Sequence, residues 1–502
     1  MTDDRTPVLI GAGQLTQRDV EPADAKDPLA MMDDVARAAA ADAGIDARAL
    51  GQLDTVAVVS MLSWHYANAP ALLAERLGAT PAHAIYTGVG GNTPQAVVNH
   101  FADRIAAGQI RFALLTGAEV VRTVMRAQRA GMQLPWTTGG TGTPESFGDK
   151  KMGTSDHEMA HGLQLPTSVY PLFENALRHR QGRTLTAHRE ALGELCSRFS
   201  AVAARNPNAW FRHERSATEI ATVTAENRYI GFPYPKYMNA IIEVDQAAAV
   251  LMTSVAHAKA LGVHPSRWVY PCGGADAHDL WWVSDRIDYH SSPAIRLAGQ
   301  RALTMAGVSI DQIDHFDLYS CFPCAVQIAC DMLGIAADDP RPLTVTGGLP
   351  YHGGPGNNYV THSIATMMDR LRATPGTTGL VTGLGWYITK HAVGVYSTAA
   401  PARPWRREDP AVDQADLDRM PHPAFVTDPQ GRGAIETYTV LHGREGNPVR
   451  GIIVGRLEDG RRFLANTPDD PVVLDSLVNR EGIGRTGRVA PHGTGTNRFD
   501  VD

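Results

Sequence analysis

His157-Glu158-Met159-Ala160-His161 has the His-Glu-x-x-His spacing with which a helix presents two imidazoles to zinc and a glutamate as base. Gly153, Gly162 and Pro166 bracket the segment and leave little room for the long helix this chemistry needs, so no metal site is assigned to it. Cys321 and Cys324 form a Cys-x-x-Cys at a helix start, the spacing of a redox pair or half a metal site. No second pair accompanies them, and structural free thiols are the expectation. A third candidate lies in the backbone. Gly88-Val89-Gly90-Gly91-Asn92-Thr93-Pro94 follows a short apolar run and opens a helical pattern. Gly347-Gly348-Leu349-Pro350-Tyr351-His352-Gly353-Gly354-Pro355-Gly356-Asn357-Asn358 does the same later. N–H groups at Gly90, Gly91 and Asn92 would hold an acyl oxygen at a helix N-terminus. A tight turn needing positive φ explains the same glycines without a ligand.

These residues need a scaffold, and its elements are legible. Residues 8–13 read as a buried first strand closed by glycines, and 29–43 as a helix stopped by Gly44. Residues 53–59, 84–86 and 112–117 read as strands, and 70–77 as a helix. Asn92 or Thr93 caps a helix reaching about residue 107, with Pro94 suited to its first turn. The order then returns: helix 295–306 stopped by Gly307, strand 313–319, the second glycine turn after Leu343-Thr344-Val345, helix 359–371, strand 379–383. Strands alternating with helices predict a layered α/β fold, and the repetition predicts a duplicated unit. Two helix mouths are expected to face one shared pocket.

Residues 122–235 break this rhythm. Within them 133–153 reads as loop and 185–205 as helix, an insertion covering one face of the sheets. Residues 399–419 read as a linker, and 420–502 as a small β-rich, OB-like domain with strands at 434–442, 449–457, 461–466 and 484–489. Its tail, 491–497, is expected to be mobile. The expected division is thus a first half over 1–121 with part of 236–270, the insertion 122–235, a second half over 271–398, the linker and the added domain.

Composition excludes some functions. The 502 residues are 43% hydrophobic and 20% charged with net charge −7, so no nucleic-acid partner is expected. No run approaches the roughly 20 apolar residues of a membrane span. The polar start, Met1-Thr2-Asp3-Asp4-Arg5, does not read as a secretory signal. Five cysteines give no disulfide framework, and a cytoplasmic compartment is the simple expectation.

Over roughly residues 5–398 the layout resembles the thiolase superfamily. The resemblance rests on Ala43-Gly44 ahead of Leu53-Asp54, Ala306-Gly307 ahead of Ile313-Asp314, Tyr319-Ser320-Cys321-Phe322, the loop Gly347 to Gly356, and Pro235-Lys236-Tyr237-Met238-Asn239 with Val244-Asp245-Gln246-Ala247. The sterol-carrier-type and type-1 thiolase-like branch is the most similar, and its members' extra C-terminal domain would account for 420–502. The resemblance implies two βαβαβαββ halves layered α-β-α-β-α. It also implies lipid metabolism and acyl-CoA as substrate or ligand, with no bound cofactor. A dimer is implied, or a monomer if the added domain interferes.

A working thiolase takes its acyl group on a cysteine at a helix N-terminus, where the dipole lowers the thiol pKa and free N–H groups hold developing charge. In this sequence the resemblance puts that position at Gly90, or Gly91 if the alignment slips by one. The usual histidine falls at Gly354, the second cysteine near Gly383 or Leu384, and the Asn/His position at Tyr319. Conventional thiolysis through an acyl-cysteine is therefore not expected. Tyr319 could polarise a carbonyl or act as general acid, with Tyr351 as partner, and His352 or His391 could reach the pocket. Buried aromatics with satisfied hydroxyls are the plainer reading of both tyrosines. Gly90, Gly91, Asn92, Cys321, Gly353, Gly354 and Trp386 are the expected substrate contacts.

Three functions fit. The first is an acyl-CoA-binding protein of the acetyl-CoA acetyltransferase-like class. The second is a cysteine-independent lyase that cleaves a β-hydroxyacyl-CoA by retro-aldol chemistry. The third is a non-catalytic CoA-binding scaffold.

Overall fold

The structure is a computed structural model and describes residues 3–502. Two sheets carry the same four-stranded pattern. In the first, Thr55–Val58 runs parallel to Phe112–Val120, which is antiparallel to Asp245–Ser254, itself antiparallel to Pro7–Thr16. In the second, His315–Asp317 runs parallel to Thr378–Gly385, then Lys390–Ser397 and Tyr270–His278 follow antiparallel. Each pattern has one helix after its outer strand, Pro28–Ala43 or Pro293–Ala306, and one before its parallel strand, Thr93–Ala106 or Tyr359–Ala373. The latter two helices pack against strands of both sheets and form the middle layer; the former two cover the outer faces. The result is the expected duplicated α-β-α-β-α arrangement. Its core is apolar on both sides of each sheet, as strands covered on two faces require.

The first sheet has two further strands. His83–Thr87 lies beside Thr55–Val58, and Glu145–Phe147 lies parallel to His83–Thr87 at the edge. A short strand therefore sits within residues expected to be loop. Alternation is too brief in Glu145-Ser146-Phe147 to show in sequence; the free edge of its neighbour creates it.

Several local expectations need correction. Gly11 and Gly13 lie inside the first strand rather than closing it. A Cβ at either would collide with a carbonyl of helix Pro28–Ala43, so glycine there permits close packing. Asn92 makes no capping bond, because its backbone is already helical (φ −73°, ψ −20°) and its side chain is turned from the first amides. The strand expected over 313–319 is only His315–Asp317. Beyond it the chain bends, and the Asp317 carboxylate is spent on the amides of Val345 and Thr346 and the hydroxyls of Thr344, Ser363 and Tyr359.

The last sheet closes five strands on themselves: Gly431–His442, Pro448–Leu457, Arg462–Asn466, Asn497–Val501 and Thr486–Pro491. Tyr229–Gly231 and Tyr234–Pro235 from the insertion extend it. The expected mobile tail is instead a turn with half of the last hairpin, Pro491 pairing with Asn497. The expected linker is folded back over the second sheet. Trp405 Nε1 donates to Asp103, Arg407 bridges Asp103 and Asp276, and Pro410–Asp418 is helical.

Candidate functional site

The first glycine turn joins the strand His83–Thr87 to the helix Thr93–Ala106. Gly90 has φ +152°, a conformation L side chains seldom adopt, and its N–H donates to Asn357 Oδ1 at 2.8 Å. Asn357 Nδ2 donates in turn to the carbonyl of Ser60 at 2.9 Å. Its neighbour Asn358 donates to Gly117 at 2.7 Å. Asn357 thus braces the first motif from the second, while Asn358 ties the second motif to the strand Phe112–Val120. Thr93 Oγ1 closes the turn on the Gly90 carbonyl at 2.5 Å. Among the described residues the amides of Gly91 and Asn92 have no acceptor, as expected of a helix N-terminus.

Three side chains, those of Asn92, Tyr319 and Lys390, crowd the space a residue at this turn would use, and a Cβ on Gly90 would lie 2.5 Å from Asn92 Oδ1. A Cβ on Gly91 would collide with the Tyr319 hydroxyl and lie 2.6 Å from the Leu384 carbonyl. A Cβ on Gly90 would lie 3.0 Å from both Cε and Nζ of Lys390. Tyr319 stands edge-on to Tyr359 with ring centres 5.6 Å apart, and burial raises its phenol pKa. It is therefore a neutral donor, and its hydroxyl makes no hydrogen bond to protein. Lys390 Nζ donates to the Val89 carbonyl at 2.6 Å, and burial lowers its pKa. No side-chain motif singles out Lys390 in the sequence. Its only signal was its place directly after a strand-joining loop and beside His391.

That loop is strained. Trp386 and Ile388 have φ of +55° and +54°, unusual for any side chain and costly for a β-branched one. Buried Arg286 holds it in place, donating to the carbonyls of Ile388 at 2.7 Å and Tyr387 at 3.0 Å and to Thr389 Oγ1 at 2.8 Å. The Trp386 ring packs on Gly153, and its carbonyl accepts from Tyr170 at 2.8 Å.

A cavity of about 330 Å3 adjoins the first helix mouth. Asn92, Thr93, Ala96, His100, Lys390 and His391 are among its walls. His391 Nε2 pairs with buried Asp279 at 3.2 Å, whose carboxyl this contact and burial's opposing effect leave below the usual range. No residue of the second glycine motif lines the cavity. The two mouths meet, but they do not open on one pocket.

Other expected site residues are elsewhere. His352 is fully buried against Tyr359 and His362, since its loop turns inward, and burial holds its pKa at about 4. Tyr351 donates to the Tyr237 carbonyl at 3.0 Å and packs beside Cys196, away from Tyr319. A Cβ on Gly353 would strike Gln246, and one on Gly354 would lie 3.2 Å from the Ile241 carbonyl, so both glycines serve packing. Cys321 and Cys324 are buried free thiols; burial pushes Cys321 up to about 12 and Cys324 higher still. Cys196, Cys272 and Cys330 are likewise raised to about 12. Neutral thiols of this kind are poor nucleophiles.

The His-Glu-x-x-His segment is a structural knot. Its helix, Asp156–Ala160, has only five residues. Glu158 accepts from the amides of Ser155 and Ser284, both under 3 Å. His161 bonds the His157 carbonyl through Nδ1 and accepts from the Asn497 amide at 2.9 Å through Nε2. Among the described residues no group of three His, Cys, Asp or Glu is placed to hold a metal ion.

Comparison with known proteins agrees with this geometry. Residues 413–494 match the family model described as "Thiolase-like protein type 1 additional C-terminal domain". No curated protein matches the chain. Among solved structures, an Ltp2-ChsH2(DUF35) aldolase aligns with TM-score 0.61 at 18% identity, covering 78% of this chain and 98% of that one. An acetyl-CoA acetyltransferase from Syntrophomonas wolfei aligns with TM-score 0.57 at 15% identity, covering 79% and 100%. At those identities the likeness is one of fold. A monomeric SCP2-thiolase-like protein type 1 from Mycobacterium smegmatis aligns with TM-score 0.86 at 38% identity, covering 100% of both chains. A likeness of that extent, together with the matched C-terminal domain, shows that this chain belongs to the SCP2-thiolase-like proteins of type 1.

Proposed function

We propose that the chain binds acyl-CoA thioesters at the Gly90–Asn92 helix mouth and does not carry the acyl group on cysteine. One observation carries this reading: the Tyr319 hydroxyl fills the space into which a side chain at 91 would project, and Asn92 Oδ1 with the Lys390 amine fills that at 90. The amides of Gly91 and Asn92 remain free to meet a thioester oxygen. Every cysteine is held neutral by burial, which also argues against an acyl-cysteine. The protein acts as a monomer in a cytoplasmic compartment. The edge strand His83–Thr87 is already paired with Glu145–Phe147, which supports the monomer. Calorimetric titration with acetyl-CoA and acetoacetyl-CoA, beside an assay of acetoacetyl-CoA thiolysis, tests the reading. Binding without thiolysis is expected. Thiolysis abolished by thiol alkylation, or no binding of either thioester, overturns it.

Tyr319 favours a second reading, the cysteine-independent lyase. Its phenol is neutral, has no hydrogen-bond partner among the described residues and lies against Gly91 at the helix mouth, where it can donate to a carbonyl oxygen. Release of an aldehyde or ketone from a β-hydroxyacyl-CoA, lost in Tyr319→Phe with thioester binding retained, would select this reading over plain binding.

A further inference from the structure

We infer that Lys390 is a reactive amine that forms an imine with a small aldehyde or ketone admitted to the cavity beside the first helix mouth. The chain has only six lysines, and five of them (Lys26, Lys150, Lys151, Lys236 and Lys259) are exposed. Arginine supplies nearly all the other cationic charge. Lys390 differs: it is 6% exposed and lines the cavity. An arginine would serve a purely cationic role there and cannot be deprotonated, whereas lysine can become a neutral nucleophile when desolvated.

Two features of its surroundings favour the neutral amine. Lys390 takes part in no ion pair among the described residues; its hydrogen-bond partner is the uncharged Val89 carbonyl, and Asp149 is the carboxylate in its field. It lies at the N-terminus of the helix Thr93–Ala106, where the dipole opposes a positive charge. The Trp281 ring, 6.0 Å from Nζ, and the Asp149 carboxylate favour the charged form, and burial outweighs them. The strained loop held by Arg286 fixes the strand end that carries it.

The cavity specifies the partner. At about 330 Å3 it is near the lower limit of ligand sites, so a short molecule is required. Ala96, Phe147 and Ala277 give it apolar wall, while Asp276 is already matched by Arg407. A neutral carbonyl compound meets both conditions. The Nζ lone pair attacks the carbonyl carbon, and one amine proton passes to the oxygen to give a carbinolamine. Loss of that hydroxyl with the second amine proton, as water, leaves the C=N bond. His391 is placed to carry these protons: it lines the cavity, Asp279 holds its Nε2, and its Nδ1 makes no hydrogen bond to protein.

The test uses the unsubstituted full chain at neutral pH with propanal or acetone and sodium cyanoborohydride, which reduces an imine to a stable secondary amine. Peptide mass spectrometry then gives the rate at each lysine. Free lysine side chains are almost wholly protonated at neutral pH, and each unit of pKa depression raises the neutral fraction about tenfold. Alkylation of Lys390 is expected to be severalfold faster than at Lys26, Lys236 and Lys259. Equal rates, or labelled exposed lysines with Lys390 untouched, overturn the proposal. Acyl-CoA binding is a separate measurement, so either idea can fail alone.

Discussion

Acidification distinguishes a core role for His352 from a catalytic one. The ring is fully buried, with Nε2 lacking a partner and Nδ1 only 3.4 Å from the Gly353 carbonyl. The groups facing it are His362, Tyr359 and the more distant charge of Arg18. Burial lowers its pKa to about 4 from the usual imidazole value of about 6.5. Because the folded pKa is the lower one, the unfolded chain takes up a proton first as pH falls. The neutral ring's contribution is thus fully present above pH 6.5 and is lost as the pH falls towards 4 and through it. Between about pH 7.5 and about pH 5 this linkage removes about 2 kcal/mol. His352→Phe keeps a ring of similar size, forfeits no strong hydrogen bond and cannot titrate. Urea unfolding at both pH values should show the variant within about 1.5 kcal/mol of wild type near neutrality. The variant should lose about 2 kcal/mol less on acidification. Identical acid losses in both proteins would refute the argument. Loss of activity in the variant with unchanged acid behaviour would return His352 to the site.

Other perturbations follow from named contacts. Gly91→Cys should not restore thiolase activity, and overpacking against Tyr319 and the Leu384 carbonyl should cost about 1–3 kcal/mol in chemical denaturation. Arg462 is fully buried, pairing with Glu436 at 2.7 Å while donating to the Ser284 carbonyl at 3.0 Å, so it ties the added domain to the second half. Arg462→Ala leaves Glu436 with Arg456 alone and should cost about 3–5 kcal/mol, read from the unfolding midpoint. Ser146→Pro should unpair Glu145–Phe147 from His83–Thr87 and expose a strand edge; light scattering should then show self-association in place of a monomer.

Much of the scaffold was legible because it rests on local rules. Gly44 and Gly307 end their helices in the left-handed conformation, and Leu185–Arg205 is helical over its whole expected length. The repeated glycine turns marked the duplication, and the apolar runs marked strands buried on both faces. Elements created by a neighbour were not legible. The strand Glu145–Phe147 exists because an edge lies beside it, and the fold-back of 399–419 depends on Asp103 and Asp276, far away in the chain.

The site divides along the same line. The sequence by itself determined that positions 90, 91 and 354 are glycine, which carries no thiol or imidazole in any fold. Tertiary structure alone decided what stands in those places. Tyr319 and Lys390 lie some 230 and 300 residues from Gly90, and only the packing of the two halves sets the Tyr319 hydroxyl and the Lys390 amine at the helix mouth. The same packing turned His352 inward, because a side chain's direction in a glycine-rich loop follows from what the loop must pack against.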